Sequence, residues 1–190
     1  MCAALYFAGT LLLIEFSGNG LRPRFLKFFT NWTFILLALY SVIGVLLCIG
    51  QLTTTSYDDE KSRPYSFLDK AFVTVSVATS SCAVFLTGFY WMVLYVESDG
   101  VKADNVMRHG GNVVVIWLDY FLSRTPVCGY WIQPVMLYTS VYAIFMWVYA
   151  GVGSGWVYSA LDFNEPGAAY YYVALPVLVY MGFICTCALQ

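Results

Sequence analysis

Long apolar stretches separated by short polar ones dominate the chain. Five stretches are long enough to cross a membrane as helices, which takes about 20 residues: residues 31–52, 68–95, 105–123, 131–152 and 168–189. A run such as FILLALYSVIGVLL lacks the alternation of polar and apolar positions that a lipid-spanning strand would need. Because a segment in lipid must satisfy its backbone hydrogen bonds internally, each stretch is predicted to be a helix.

The first residues, MCAALYFAGTLLLIEF, form a sixth apolar segment. It has neither the basic start nor the small-residue exit of a cleavable signal, and it is short for a full span. We therefore predict an all-α fold, a polytopic transmembrane bundle of about six helices, or five if the first segment does not cross. The chain has no internal repeat and no linker-like tract, which predicts a single domain over residues 1–190.

Composition identifies the solvent of this bundle. Charged residues make up 11% of the chain and hydrophobic residues 61%, whereas soluble domains carry about 25% charged residues. Since so few charges cannot cover a water-facing surface, we expect a multi-pass integral membrane protein whose first partners are membrane lipids. A net charge of -2 without a clustered basic patch argues against nucleic-acid binding.

Topology predicts where the unusual polar residues gather. With six helices, the first, third and fifth connections lie on the same side of the membrane. That side receives the start of the second helix, the start of the fourth, and the loop between the fifth and sixth. The polar pocket expected there contains Thr30, His109, Asn112, Trp156, Asp162 and Glu165.

The segment RHGGNVVVIWLDYFLSR, residues 108–124, carries the only histidine of the chain. Asn112 lies one turn after His109 and Asp119 lies ten residues after it, so on a helix they form a broad polar stripe that should face the bundle interior. One interpretation is a buried acid–base or ligand site around His109. The other is structural, with an Asn–Thr hydrogen bond holding two helices together.

The residue types of the chain argue against a haem or zinc site. One histidine cannot supply both axial ligands of a haem, and the six cysteines form no C-x-x-C pair that would suit zinc. We therefore predict neither a metal nor a cofactor. A single contact between His109 and a pigment or quinone remains as a weaker alternative.

Three segments carry a family resemblance: KFFTNWTF (27–34), RHGGNVVVIWLDYFLSRTP (108–126) and WVYSALDFNEPGAA (156–169). They resemble rolling stone-like membrane proteins and, more distantly, the androgen-induced six-span proteins that hydrolyse fatty acid esters of hydroxy fatty acids. The resemblance to the hydrolases implies a threonine nucleophile at Thr30. It also implies a histidine pair in an H-G-x-H pattern, which here reads His109-Gly110-Gly111-Asn112.

The second histidine of that pattern, the catalytic one in the hydrolases, is Asn112 here. An amide has no useful basicity, so His109 would have to act as the base from one turn away. This departure agrees with the rolling stone-like branch, which the resemblance links to cell-surface roles without a defined reaction. Our leading hypothesis is a non-catalytic protein that binds lipid or partner helices, either alone or as an accessory subunit of a larger membrane complex. The alternative is an intramembrane acyl-ester hydrolase using Thr30 and His109.

Overall fold

The computed structural model describes residues 25–53, 66–95, 106–123 and 129–188. Five α-helices account for most of them: α1 (Phe29–Thr53), α2 (Phe67–Phe89), α3 (Asn112–Ser123), α4 (Ile132–Tyr149) and α5 (Ala168–Ala188). These described ranges contain no β-strand. The all-α prediction is confirmed, and each of the five long apolar stretches contains a helix. The sixth segment predicted at the N-terminus lies outside the described residues.

Short turns of π- or 3-10-helix extend several of these helices. The π turns are Tyr90–Leu94 after α2, Met107–Gly111 before α3 and Ala150–Ser154 after α4, and the 3-10 turns are Phe25–Lys27, Gly129–Trp131 and Ser159–Leu161. Gly153, with φ 82°, lies where α4 ends. Only glycine adopts this left-handed conformation without strain, so it can end the helix here.

Within the described residues, four helical segments are long and apolar enough to cross a membrane, as an integral membrane protein requires. They comprise residues 29–50, 67–94, 129–154 and 168–188. The helix α3, at 12 residues, is the shortest of the five. Its sequence lies within the longer predicted stretch 105–123. The π turn Met107–Gly111 precedes it and lies beside the C-terminal end of α2.

The helix α2 occupies the centre of the bundle and packs against α1, α3, α4 and α5. Its middle turns, Ser76 to Ala83, read SVATSSCA, and all eight residues are buried. A helix that is buried all round needs apolar or small side chains on every face. The small hydroxyl residues meet this need because they let neighbouring backbones approach and can return their hydrogen bonds to their own helix. Thr79, for example, donates to the carbonyl oxygen of Val75 at 2.7 Å.

Neighbouring helices along the chain run in opposite directions. Phe29 at the start of α1 packs edge-on against Phe85 near the end of α2, with ring centroids 5.6 Å apart. The late α4 residue Met146 clusters with the late α2 residue Leu86, so α4 runs parallel to α2. This alternation is the up-and-down arrangement that a bundle with short connections adopts.

Candidate functional site

One end of the bundle brings together the three segments that topology predicted to share it. At the close of α2, Tyr90 stacks on His109 and Phe89 packs against Tyr158, with ring centroids 6.2 Å apart. The backbone N–H of Phe29 donates to the Tyr158 hydroxyl at 3.3 Å. The start of α1, the turn before α3 and the loop after α4 therefore share this end, which we call the loop end. The predicted convergence of these three segments is confirmed.

His109 lies flat against the turn that follows α2. Its ring lies parallel to that of Tyr90, with centroids 3.5 Å apart and planes inclined by 7°. Its backbone carbonyl accepts a hydrogen bond from the hydroxyl of Thr87. The π turn that carries His109 thus has two attachments, one through the ring to the turn after α2 and one through the backbone to Thr87 of α2. This packing covers one face of the imidazole.

Thr30, the predicted nucleophile, is the second residue of α1 and is half-buried. It lies at the loop end, as expected, since its neighbour Phe29 bonds to Tyr158 there. Among the hydrogen bonds of the described residues, none joins the Thr30 hydroxyl to His109. A nucleophile and its base need to lie within hydrogen-bond reach in the reacting state. The assignment of catalytic roles to these two residues therefore stays a prediction.

Asn112 is 1% exposed at the first position of α3. Its carbonyl oxygen accepts from the N–H of Val113 at 2.9 Å, while its side-chain nitrogen has no hydrogen-bond partner among the described residues. The Asn–Thr hydrogen bond of the structural interpretation is therefore not formed within this part of the chain. The burial shows that Asn112 faces the bundle interior, the direction predicted for it.

Asp119 lies deeper in the bundle, away from the loop end. Its carboxylate accepts a hydrogen bond from the hydroxyl of Tyr40 in α1, and the two residues are 8% and 0% exposed. At about 1.5 Å per helical residue, seven residues separate Asp119 from Asn112 by about 10 Å along α3. The polar residues of the stripe therefore lie at two different depths in the bundle. Asp119 is not grouped with Thr30 and His109.

In the loop after α4, the carboxylate of Asp162 bonds within the loop itself. The Asp162 carboxylate accepts from the backbone N–H of Asn164 at 2.9 Å, which shapes a turn, and Glu165 is exposed. Trp156 packs edge-on against Phe163, with ring centroids 5.0 Å apart. Among the described hydrogen bonds, none connects Asp162 or Glu165 with Thr30, His109 or Asn112.

A cavity of about 320 Å³ lies beside this end, between α2, α4 and α5. We call it the lateral cavity. Its deep wall is formed by buried side chains from the close of α2 and from α4, among them Leu86, Phe89 and Met146. The loop residues Tyr158 and Leu161 also line it. The volume is at the lower end of the roughly 300–1,000 Å³ usual for small-molecule sites.

The opposite wall of the lateral cavity reaches the outer surface of the bundle. Ser140 and Trp147 of α4 and Pro176 of α5 line the cavity and are themselves exposed. The cavity therefore opens sideways between α4 and α5, toward the space that surrounds the helices. None of the described residues that line it is charged.

The loop end of the cavity is held by two tyrosines. Tyr142 donates to the carbonyl oxygen of Lys27 at 2.7 Å, and Tyr158 accepts from the N–H of Phe29. Burial raises the pKa of the Tyr158 hydroxyl above its ordinary value, because the charged phenolate would lose its solvation. Both tyrosines thus fix the chain before α1 against the cavity wall.

The sequence prediction missed the lateral cavity, although two signals were present. Thr139, Ser140 and Ala143 place small side chains along one side of α4, and Pro176 interrupts the hydrogen bonding of α5. Small residues usually mark close helix contacts. Here part of that surface lines open space instead, because α5 packs mainly against α2.

No family model, curated protein or solved structure matches the chain. The resemblance to rolling stone-like proteins therefore stays a prediction. Among the described residues, no group of three or more histidine, cysteine, aspartate or glutamate side chains is placed to hold a metal ion.

Proposed function

We propose that the protein is a non-catalytic membrane protein that binds a lipid in the lateral cavity. The observation that carries the proposal is the sideways opening of an uncharged, largely apolar cavity between α4 and α5. Both helices are long and apolar enough to cross a membrane. In that setting the molecules that reach the opening are lipids, and their apolar chains gain van der Waals contacts with the wall when they fill the cavity.

The aromatic wall of the cavity supports binding of an acyl chain. Phe29, Phe85 and Phe89 contribute rings to it. Aromatic rings present large, stiff apolar surfaces that need little ordering when a ligand binds. A rigid wall lowers the entropic cost of holding a flexible acyl chain.

Lipid retention by cavity-filling variants tests this proposal. Ala143 lines the cavity, whereas the adjacent Ile144 is 55% exposed on the outer face of α4. Ala143→Trp should fill the cavity, and Ile144→Trp adds the same side chain outside it. After purification in detergent, mass spectrometry of extracted lipid should show about one retained lipid per chain for the wild type and Ile144→Trp, and loss of it for Ala143→Trp.

Equal retention by all three proteins, or no retained lipid in the wild type, would refute the proposal. If a co-purifying protein, and not lipid, is lost with Ala143→Trp, the alternative of a subunit docked against a partner helix replaces it. Unfolding curves for both tryptophan variants establish that each is folded when lipid is measured.

Acyl-ester hydrolysis is the second candidate, and it rests on Thr30 and His109 lying at one end of the bundle. The resemblance to the hydrolases implies a base at the position of Asn112. If this candidate holds, the purified protein hydrolyses a fluorogenic acyl ester, Thr30→Ala abolishes the turnover, and Asn112→His raises it by restoring the H-G-x-H pattern. Turnover that survives Thr30→Ala, or its absence from the wild type, eliminates this mechanism.

A further inference from the structure

A pair of aromatic residues joins α4 to α5 across the opening of the lateral cavity. The indole N–H of Trp147 in α4 donates to the Tyr172 hydroxyl in α5 at 3.1 Å, and both residues line the cavity. The same hydroxyl donates to the carbonyl oxygen of Leu161 at 2.8 Å, and Phe163 stacks on the Tyr172 ring with centroids 5.2 Å apart. We call Trp147 and Tyr172 the aromatic bridge. It ties the two helices beside the opening to each other and to the loop between them.

The aromatic bridge lies close to the loop end, whereas the open part of the cavity lies deeper. Trp147 is about 3 Å before the end of α4 and Tyr172 about 6 Å after the start of α5, at about 1.5 Å per helical residue. On the same scale, Ser140 is about 14 Å and Pro176 about 12 Å from the loop end, and both line the cavity and are exposed. The bridge therefore closes the opening toward the loop end and leaves it open nearer the middle of the helices.

This depth decides which part of a lipid meets the opening. The two helices belong to segments that are long and apolar enough to cross a membrane, one finishing at Ser154 and the next beginning at Ala168. The loop end therefore lies near one membrane surface. Since the hydrocarbon core is about 30 Å thick, an opening about 12 to 14 Å from that end lies among acyl chains. The part of a lipid that reaches it from the side is a chain.

The polar atoms of the lining offer little to a headgroup. Six described lining residues have polar side chains, and five of these already take part in hydrogen bonds within the protein: Thr139, Tyr142, Trp147, Tyr158 and Tyr172. The sixth, Ser140, lies at the open part of the cavity. None of the described lining residues is charged. A headgroup inside would lose its water without gaining partners, which is costly.

Building on the proposed function, we propose that the lateral cavity binds the hydrocarbon chain of a lipid and leaves its headgroup outside, with the aromatic bridge closing the opening toward the loop end. The chain gains van der Waals contacts with the apolar wall. Selection then depends on the chain, and lipids that differ only in headgroup charge bind alike.

Two matched phosphatidylcholine probes test this placement in phosphatidylcholine nanodiscs that contain the full-length protein. One probe carries a diazirine in the middle of an acyl chain, and the other carries it on the headgroup. Met146 and Val179 line the cavity and are 1% and 3% exposed, so a label reaches them through the cavity. After illumination, mass spectrometry should find both residues labelled by the chain probe and neither by the headgroup probe. Ala143→Trp should abolish this labelling, and Ile144→Trp should keep it.

A third probe tests the indifference to headgroup charge. It carries the same chain diazirine on phosphatidylglycerol, whose headgroup is anionic. At equal mole fraction, its labelling of Met146 should agree with that of the choline chain probe within about threefold, a smaller difference than one net hydrogen bond would produce.

Variants of the aromatic bridge test its role. Trp147→Ala removes the bridge and its ring, so the headgroup probe should now label Met146. Tyr172→Phe keeps the ring and removes both hydrogen bonds, and it should have the same effect to a smaller extent. Val148→Ala is the control for Trp147→Ala, because Val148 is adjacent, 60% exposed and outside the cavity. It should keep the labelling pattern of the wild type.

The outcomes separate this inference from the proposed function. Labelling of Met146 by the headgroup probe in the wild type, or a larger preference for one headgroup, overturns binding by the chain alone and leaves lipid binding intact. Unchanged headgroup labelling in both Trp147→Ala and Tyr172→Phe overturns the role of the aromatic bridge. Absence of Met146 and Val179 labelling by both chain probes refutes the proposed function itself.

Discussion

The backbone carbonyl oxygen of Ser81 lies 2.6 Å from the position that a Cβ atom on Gly182 would occupy. The helices α2 and α5 thus touch through backbone, with Gly182 supplying the gap. Such small-residue contacts bring helices together in lipid, where packing and not water expulsion drives association. This contact also explains why α5 packs mainly against α2 and leaves the lateral cavity between itself and α4.

Gly182→Ala should destabilise the bundle, because backbone on both helices must move to admit the new methyl group. We expect a loss of about 1–3 kcal/mol in the free energy of unfolding, the usual cost of overpacking. Gly88→Ala is the control, since a Cβ there meets no atom within 4 Å. Denaturation in mixed micelles should show no loss for Gly88→Ala. Equal stability of the two variants would mean that α2 and α5 are further apart than described.

Thr186→Val should cost much less than Gly182→Ala. The Thr186 hydroxyl lies 3.0 Å from that of Ser80 and also donates to the Gly182 carbonyl at 3.0 Å. Hydrogen bonds between helices in lipid contribute about 0.6 kcal/mol on average. We therefore expect a loss of about that size in the same unfolding assay. A loss as large as that of Gly182→Ala would show that hydroxyl pairing, and not close approach, holds these helices.

The start of α2 makes a separate prediction. Ser66 caps the helix: its hydroxyl accepts from the N–H of Asp69 at 3.2 Å, and the Asp69 carboxylate accepts from the Ser66 N–H at 2.7 Å. Ser66→Ala should lower the free energy of unfolding by about 0.5–2 kcal/mol. Thr74→Ala is the control, because Thr74 only returns its hydroxyl to the carbonyl of Lys70. A loss equal to that of the control would show that the cap contributes nothing measurable.

Hydropathy predicted the helices well because lipid allows few alternatives. Each long apolar stretch became a helix, and the boundaries agree within a few residues; the predicted 68–95 corresponds to α2 with its π turn, 67–94. Counting helices also placed Thr30, His109 and the loop after α4 at one end. That inference needed only alternating direction, which short connections enforce.

Side-chain partners were harder to predict than helices. Spacing placed His109 and Asp119 on one stripe, yet His109 stacks on Tyr90 while Asp119 bonds to Tyr40. A helical period gives the direction of a residue but not what the neighbouring helix offers at that depth. The lateral cavity was not predicted for the same reason. It forms because α5 packs against α2 and not against α4, and that packing depends on the close approach at Gly182.

The bond between Tyr40 and Asp119 gives the last prediction. Tyr40→Phe removes a donor from a buried carboxylate while keeping the ring that stacks on Phe72, with centroids 5.0 Å apart. Leaving a buried polar partner unsatisfied costs about 1–3 kcal/mol, so we expect a loss of that order. Tyr180→Phe, at a tyrosine that is 48% exposed, should be nearly neutral. In a double-mutant cycle, Tyr40→Phe should cost distinctly less once Asp119→Leu is present, because the hydroxyl then has no carboxylate to bond. Additive effects of the two substitutions would show that the hydroxyl and the carboxylate do not interact, and that α1 and α3 are joined by packing alone.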